Sequence, residues 1–432
     1  MKLSLRLASV AALLLATVSL SAQSVEKGYY KDIFMDSGIK LTSRVDLPAA
    51  RYLNLQMERF ISVETKGDTT FTTIVDTLKQ RDILCGSSID ENGVLLYPDG
   101  QPRFRVIYMN GGKAASHGRT LEDKGRENIR TFVKNGGSYI GTCAGMFIAS
   151  KGTRRLVDTI PPKDYDSYVG IWPAYCISSG LSKTPTGMFV VPDSPLLKYY
   201  DFGADMHIDS VYHNGGGFTI EEELAKTPGA EILLRYDYPE KDMHNKVSAW
   251  GWKENEQTGR IVICGSHPEA VTSGERLHLF SAFVKYAMDG TGCPVSKGEL
   301  KLGEPRSMDK STRDNDPAYT KIGDRQYHHF TVEVPAGKDS LEIKLSSVKG
   351  WTNFDFCLFA DYNGFAFKDE AAYEELSLGV DKSIKIAAPK EGKLYISVYC
   401  ATTVTAVDTP YGEQYTGRLD VLNGVPYVLT VK

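Results

Sequence analysis

The chain has 432 residues, of which 42% are hydrophobic and 24% are charged, which is typical of a globular protein with room for two packed domains. The formal net charge is −4, so the chain lacks the excess of Lys and Arg with which proteins displace counterions from nucleic-acid phosphates. This composition argues against nucleic acid as a partner.

The first 22 residues have the pattern of a signal peptide. Lys2 and Arg6 form a basic start, residues 7–20 are mostly apolar, and small residues near Ala22 provide a cleavage site. The apolar stretch is shorter than the ~20 residues that span a bilayer, and an uncleaved anchor is the alternative. We therefore expect residues 1–22 to be removed and the mature protein to be secreted or periplasmic.

Residues 23–290 predict strands that alternate with helices, followed by a more strand-rich stretch. In chain order, the predicted elements are a strand at Lys31–Asp36, helical spacing over Ala49–Phe60, a strand at Phe104–Met109, a helix at Glu122–Lys134, a strand at Ser138–Gly141, a helix at Ala144–Ser150, strands at Met188–Val191, Glu231–Leu234, Val247–Trp252 and Arg260–Cys264, and a helix at Glu275–Met288. The alternation indicates a mostly parallel sheet with helices on both faces.

The remaining chain has a different pattern. Residues 291–322 are polar and rich in turn formers, which predicts a linker. Residues 323–432 contain short alternating runs, which predict an all-β sandwich domain. Two adjacent histidines, His328 and His329, lie in one of these runs and should face opposite sides of a strand, so we predict no shared metal.

The segment Gly141–Gly145, with the sequence Gly-Thr-Cys-Ala-Gly, lies between a predicted buried strand and a helix. A cysteine in such a tight turn is exposed above the sheet edge, as in nucleophile elbows. The free N–H groups at the start of the helix favour the thiolate, the nucleophilic form of cysteine. Cys143 is therefore the candidate nucleophile, with a structural cysteine in a Gly-rich turn as the alternative.

Two further motifs complete the candidate site. His267 follows a predicted strand and can accept a proton from Cys143, and Glu269 can orient the imidazole. Taken alone, this His-x-Glu pattern is more typical of a surface turn than of a catalytic site. The loop after Met109 contains Gly112, whose N–H together with that of Ala144 could form an oxyanion hole, although a plain turn would look the same.

Read in this order, the motifs resemble the class I glutamine amidotransferase-like superfamily and, within it, the family named for the N-terminal domain of certain biotin-protein ligases. Phe132–Met146, Tyr212–Gly217 and Cys264–Glu269 carry the resemblance, which covers residues 30–290. It implies an α/β flavodoxin-like fold and a Cys-His-Glu triad at Cys143, His267 and Glu269. Within residues 323–432, three segments resemble, more loosely, the prepeptidase C-terminal domain: Tyr327–Gly337, Asn353–Phe359 and Gly424–Val431. A generic sandwich is the alternative.

The expected function is hydrolysis of an amide or peptide bond by a secreted cysteine enzyme without a cofactor or metal. The resemblance does not imply biotin-ligase activity, and export would separate an amidotransferase from ATP. A non-catalytic extracellular binding protein is the main alternative, and a structural surface protein held by disulfides is a third possibility. We expect a small amide or peptide substrate, and the C-terminal domain could contact a surface glycan or protein.

Further expectations concern the substrate cleft and the cysteines. Loop residues that could line the cleft, or equally form plain turns, are Asn110, Gly111, His213, Asn214 and Gly215. The chain has seven cysteines and no CxxC pair, so neither a zinc ribbon nor a thioredoxin motif is expected. An odd count leaves at least one thiol unpaired unless chains are bridged, and the sequence leaves the pairing of the others open.

Overall fold

The computed structural model describes residues 28–36, 46–60, 91–157, 159–239, 243–409 and 412–432. The expected signal peptide and Cys85 lie outside these residues. The described chain forms an α/β unit up to residue 290 and a β unit over residues 296–432. None of the helices in these ranges is long and apolar enough to cross a membrane.

The described part of the α/β unit contains thirteen strands and six helices. The strands are β1 (Lys31–Asp36), β2 (Met57–Phe60), β3 (Phe104–Met109), β4 (Ser138–Thr142), β5 (Ser150–Thr153), β6 (Lys163–Asp164), β7 (Trp172–Ser178), β8 (Thr184–Val190), β9 (His207–His213), β10 (Gly217–Phe218), β11 (Glu231–Asp237), β12 (Val247–Trp252) and β13 (Ile261–Cys264). The helices are α1 (Pro48–Tyr52), α2 (Ala114–Thr120), α3 (Glu122–Lys134), α4 (Ala144–Ala149), α5 (Glu221–Leu224) and α6 (Gly274–Met288).

The main sheet of this unit has nine strands among the described residues, in the order β2-β1-β3-β4-β13-β12-β11-β8-β9. The five strands from β2 to β13 are parallel, and the remaining strands pair antiparallel. A smaller sheet has the order β10-β7-β5-β6. The mostly parallel sheet predicted from the sequence is thus present in one half of the main sheet, and the strand-rich stretch extends it antiparallel.

Apolar side chains cover both faces of the main sheet. On β3, Ile107 packs in a cluster with residues of α3 and α4, whereas Val106 and Tyr108 pack in a second cluster with residues of α6. The Tyr108 ring lies 5.1 Å from that of Phe280 on α6. A strand buried on both faces reads as a continuous apolar run, which explains why the sequence of β3 shows no alternation.

The helical spacing predicted over Ala49–Phe60 is wrong beyond Tyr52. Helix α1 ends there, and Asn54 adopts a positive φ of 54°, which stops the helix. Strand β2 then pairs in parallel with β1, and its buried Glu58 lies 2.6 Å from Lys31 Nζ. Because β2 contains charged residues that tertiary contacts bury, its sequence lacks the alternation of apolar and polar residues that predicts a strand.

The β unit contains eleven strands in its described part: β14 (Ser296–Glu299), β15 (Arg306–Met308), β16 (Tyr327–Val334), β17 (Ser340–Ser347), β18 (Phe356–Asp361), β19 (Tyr373–Glu375), β20 (Lys382–Ala387), β21 (Gly392–Cys400), β22 (Val404–Thr409), β23 (Gly412–Gly417) and β24 (Tyr427–Val431). They form sheets with the orders β14-β16-β21-β18-β19 and β15-β24-β17-β20, and a β22-β23 hairpin. Residues 291–322, predicted as a linker, thus contribute strands β14 and β15 to these sheets.

The two larger sheets of the β unit pack face to face. The His328 Nδ1 atom on β16 lies 2.9 Å from the Tyr427 hydroxyl on β24, and the rings of Phe356 and Tyr427 are 5.8 Å apart. On the opposite face of β16, His329 Nδ1 lies 2.7 Å from Ser397 Oγ. The two histidines therefore face opposite sides of the strand, as the sequence predicts.

Buried charges join the two units. Arg103 Nη2 lies 2.9 and 2.8 Å from the two carboxylate oxygens of Asp324, and both residues are buried. The buried Asp99 carboxylate accepts hydrogen bonds from Lys297 and from Gln326 at 2.8 Å. Because a charge that loses its partner in such a place is costly, these contacts favour one arrangement of the two units.

Candidate functional site

The three motifs of the predicted site emerge at one edge of the main sheet. Strand β4 lies between β3 and β13, and all three are parallel. The register places Met109 opposite Gly141 and Cys264 opposite Thr142. The segments that follow these strands therefore leave the sheet side by side, and they carry Gly112, Cys143 and His267.

Cys143 lies in the turn between β4 and α4 with a positive φ of 51° and a ψ of −101°. This conformation is unfavourable for a residue with a side chain, at a cost on the order of 1–3 kcal/mol. It is held by the Cys143 N–H, which donates to the Cys264 carbonyl at 3.0 Å. A β carbon on Gly145 would lie 2.1 Å from the Met109 carbonyl oxygen, so glycine is required for α4 to approach β3.

His267 and Glu269 form a buried pair. The His267 Nδ1 atom lies 2.8 Å from Glu269 Oε1, with 7% of the histidine and 2% of the glutamate exposed. The His267 N–H donates to the Tyr212 carbonyl at 2.7 Å. Behind the imidazole, a β carbon on Gly111 would lie 2.2 Å from Cε1. The structure thus brings the three motifs together and fixes the orientation of the ring.

The predicted oxyanion hole depends on the backbone N–H groups of Gly112 and Ala144. Ala144 is the first residue of α4, where backbone N–H groups have no acceptor within the helix. Gly112 is exposed, with a φ of 150°. The N–H of Gly111 donates to Asn110 Oδ1 at 2.6 Å, so that N–H is already used and Gly112 is the better candidate.

The residues predicted to line a cleft fall into two groups. Asn214 and Gly215 are exposed, and the Asn214 carbonyl lies 3.4 Å from Cys143 Sγ. The side chains of Asn110 and His213 are buried and Gly111 is half-buried, and a role of these three residues in lining a cleft stays a prediction. A histidine beside glycines is typical of a surface loop, yet here the hydroxyls of Ser179 and Ser266 bind the His213 imidazole in the interior.

Close approach to neighbouring backbone explains the glycines after Asn214. A β carbon on Gly216 would lie 1.8 Å from the Gly265 carbonyl oxygen, and one on Gly217 would lie 2.2 Å from that of Ile177. These residues let the chain pass close to neighbouring backbone, whereas the sequence had suggested the approach of a ligand. Beside them, Tyr212 is 43% exposed, and its ring centroid lies 5.7 Å from that of His267.

Sequence reasoning missed three residues behind the site. Ser179, Tyr236 and Ser266 surround the His213 imidazole with hydrogen-bond distances of 2.7, 3.3 and 2.8 Å. Only Ser266 carried a signal, because it directly precedes His267 in a motif that was recognised. Ser179 and Tyr236 lie far away in the chain, and nothing in their local sequence marks them.

Of the other cysteines, Cys264 lies nearest to the site in the sheet and is buried. Its burial raises the pKa of the thiol to about 12, so it remains neutral. Burial likewise raises the pKa of Cys176. In the described ranges no cysteine forms a disulfide, and no cluster of three or more His, Cys, Asp or Glu side chains is arranged to hold a metal.

A cavity of about 590 Å³ lies elsewhere, between the α/β unit and the β unit. Its walls include Tyr29, Asp99, Lys297 and Tyr327. None of the predicted triad residues lines it. The cavity is therefore separate from the candidate site, and the residues around Cys143 must be judged on their own geometry.

Comparison with known proteins places the candidate nucleophile inside a family match. Residues 89–158 match the family model described as "Biotin-protein ligase, N terminal". A biotin–protein ligase of Schizosaccharomyces pombe (strain 972 / ATCC 24843) is 26% identical over 237 residues, which is 48% of this chain and 33% of that protein. The match thus spans about a third of the relative's length. These matches confirm the resemblance to the biotin-protein ligase N-terminal family.

Three solved structures have a partial likeness to this chain. A glutamine amidotransferase covers 42% of this chain and 79% of its own, with 14% identity and a TM-score of 0.29. The pre-peptidase C-terminal domain of a Bacillus anthracis collagenase covers 33% of this chain and 100% of its own, with 12% identity and a TM-score of 0.19. The Aeromonas hydrophila protein PliG, a periplasmic inhibitor of g-type lysozyme, covers 32% and 98%, with 15% identity and a TM-score of 0.20.

Proposed function

We propose that the protein is a cysteine-dependent hydrolase of an amide or peptide bond. The observation that carries the proposal is the buried His267–Glu269 pair, which lies beside a strained turn that presents Cys143 at the same sheet edge. A histidine with an oriented ring next to a cysteine in an elbow is the arrangement needed to activate the thiol. The flavodoxin-like fold of the glutamine amidotransferase-like superfamily is part of this proposal.

The chemistry assigns one role to each residue. Cys143 Sγ attacks the carbonyl carbon as its proton passes to His267, and Glu269 stabilises the imidazolium. The N–H groups of Gly112 and Ala144 bind the oxyanion, and one such donor typically contributes ~10²–10³ in rate. His267 then returns the proton to the leaving amine, and water hydrolyses the thioester to release the acid and restore the thiol.

The remaining expectations are part of the same proposal. Export rests on residues 1–22, and the substrate class rests on the proposed triad. A contact between the β unit and a surface glycan or protein stays a prediction. The matched relative is named for ligation of biotin to protein, but the match spans only 33% of it, so the proposal for this chain is limited to chemistry at Cys143.

The proposal is tested by the rate of iodoacetamide alkylation of Cys143 against pH, measured by peptide mass spectrometry. We expect Cys143 to react at pH values well below the ordinary thiol pKa of about 8.5, because the neighbouring imidazole stabilises the thiolate. The variant His267→Ala should abolish this reactivity at low pH, and Glu269→Gln should weaken it. Exposed Cys293 serves as the internal reference thiol.

A matched control is His244→Ala, which removes an exposed histidine. It should leave the Cys143 profile unchanged. If Cys143 is inert, or if its profile is the same in wild type and His267→Ala, the hydrolase proposal is wrong and a non-catalytic binding protein takes its place.

A further inference from the structure

Three consecutive residues at the end of β9, Tyr212, His213 and Asn214, lie beside the candidate site; we call them the 212–214 segment. The Tyr212 carbonyl accepts the His267 N–H at 2.7 Å. The Asn214 carbonyl lies 3.4 Å from Cys143 Sγ. Between them the His213 side chain points inward and is fully buried. The 212–214 segment therefore contacts both the candidate base and the candidate nucleophile.

The contacts around His213 favour one tautomer of its ring. Ser179 Oγ donates to the Gly216 carbonyl at 2.8 Å, and it also lies 2.7 Å from His213 Nε2. A hydroxyl has one proton and a carbonyl can only accept. Both contacts of Ser179 are satisfied in the tautomer in which the Ser179 proton goes to Gly216 and His213 Nε2–H donates to Ser179 Oγ.

The other ring nitrogen must then accept. The Ser266 hydroxyl lies 2.8 Å from His213 Nδ1, and the Tyr236 hydroxyl donates to the Gly217 carbonyl at 2.9 Å. Since the Tyr236 proton is committed elsewhere, Ser266 is the donor to Nδ1. Burial lowers the pKa of His213 to about 4, which agrees with a neutral ring bonded in this direction.

We propose that His213 is a positioning residue, whose neutral imidazole fixes Ser266 and thereby sets the place of His267 relative to Cys143. This inference rests on the proposed function. Ser266 directly precedes His267 in the chain, and its side chain is fully buried. A shift of Ser266 would move the adjoining His267 backbone, whose N–H donates to the Tyr212 carbonyl. A displacement of about 1 Å at such a site can cost ~10² in rate.

Two amide variants separate the two sides of the ring. In His213→Asn, the amide oxygen can replace Nδ1 as the acceptor for Ser266. In His213→Gln, the longer amide can replace Nε2 as the donor to Ser179 and leaves Ser266 without its acceptor. We expect His213→Asn to keep the pH profile of Cys143 alkylation by iodoacetamide within about threefold of wild type. His213→Gln should lower the rate at pH 6.5 by roughly tenfold or more.

Ser266→Ala provides a second route to the same test, since it removes the donor and should resemble His213→Gln. Cys293 alkylation and the thermal unfolding midpoint, measured on each variant, show whether the full chain remains folded.

The inference is overturned if His213→Gln and Ser266→Ala keep the wild-type profile while His267→Ala loses it. It is also overturned if His213→Asn lowers the rate of Cys143 alkylation as much as His213→Gln does. The size of the ring would then matter, and its hydrogen bond to Ser266 would not. If His267→Ala itself changes nothing, the proposed function fails first and the inference falls with it.

Discussion

At the scale of single residues, the space behind the imidazole of His267 is filled by the backbone of Gly111. A β carbon on Gly111 would lie 2.2 Å from His267 Cε1, well inside van der Waals contact. We expect Gly111→Ala to push the ring out of place and to lower the rate of Cys143 alkylation at pH 6.5 by roughly tenfold to a hundredfold. Lys113→Ala, at an exposed position of the same loop, is the control and should have no effect. Equal rates for Gly111→Ala and wild type would mean that the ring has room to move.

The same scale shows what sequence can and cannot predict about the site. Cys143 and His267 are recognisable because each stands in a short local motif after a strand. The inward direction of His213 is not recognisable, because its partners are distant in the chain: Ser179 follows β7, and Tyr236 lies in β11. A side chain that is turned by distant partners leaves no local pattern, and only the folded chain brings those partners together.

At the scale of elements, the packing of α4 against β3 depends on Gly145. Helix propensity alone would favour Gly145→Ala by ~1 kcal/mol, because alanine stabilises a helix. The contact predicts the opposite sign, since the new β carbon would meet the Met109 carbonyl oxygen at 2.1 Å. We expect a loss of about 1–3 kcal/mol in the free energy of unfolding, measured by urea titration. A gain in stability would show that α4 is free to move away from β3.

Elements with a clear local hydrophobic pattern were predicted well. Strands whose position depends on pairing with a distant strand were not. The bounds of β1, β3, α3 and β12 agree with the sequence prediction. Among the strands that were missed, which also include β7 and β9, the strands β2, β14 and β15 are short and carry charged residues. Their place in a sheet follows from a partner strand that is distant in sequence, and a period-two pattern of three or four residues is too short to reveal it.

At the scale of the whole molecule, both units bury polar side chains that must stay in one ionisation state. In the α/β unit, burial lowers the pKa of His213 to about 4. At the boundary with the β unit, burial lowers the pKa of His329 to about 3 and that of His328 well below its usual range, with the nearby Lys297 acting in the same direction. The folded chain therefore keeps these histidines neutral at pH values where an unfolded chain would protonate them.

This difference makes stability depend on pH in a defined direction. Between about pH 6.5 and pH 4 the unfolded chain binds more protons at His213 than the folded chain, so stability is full above this window and falls as the pH is lowered through it. His213 alone should cost about 2 kcal/mol between pH 7 and pH 5. Urea unfolding at pH 7, 6 and 5 measures this, and His213→Asn should reduce the slope because it removes the titrating ring. His244→Asn, at an exposed site, is the matched control and should keep the wild-type slope. A slope that is the same in wild type and His213→Asn would place the pH dependence on His328, His329 or the carboxylates, and would show that His213 is not held neutral by the fold.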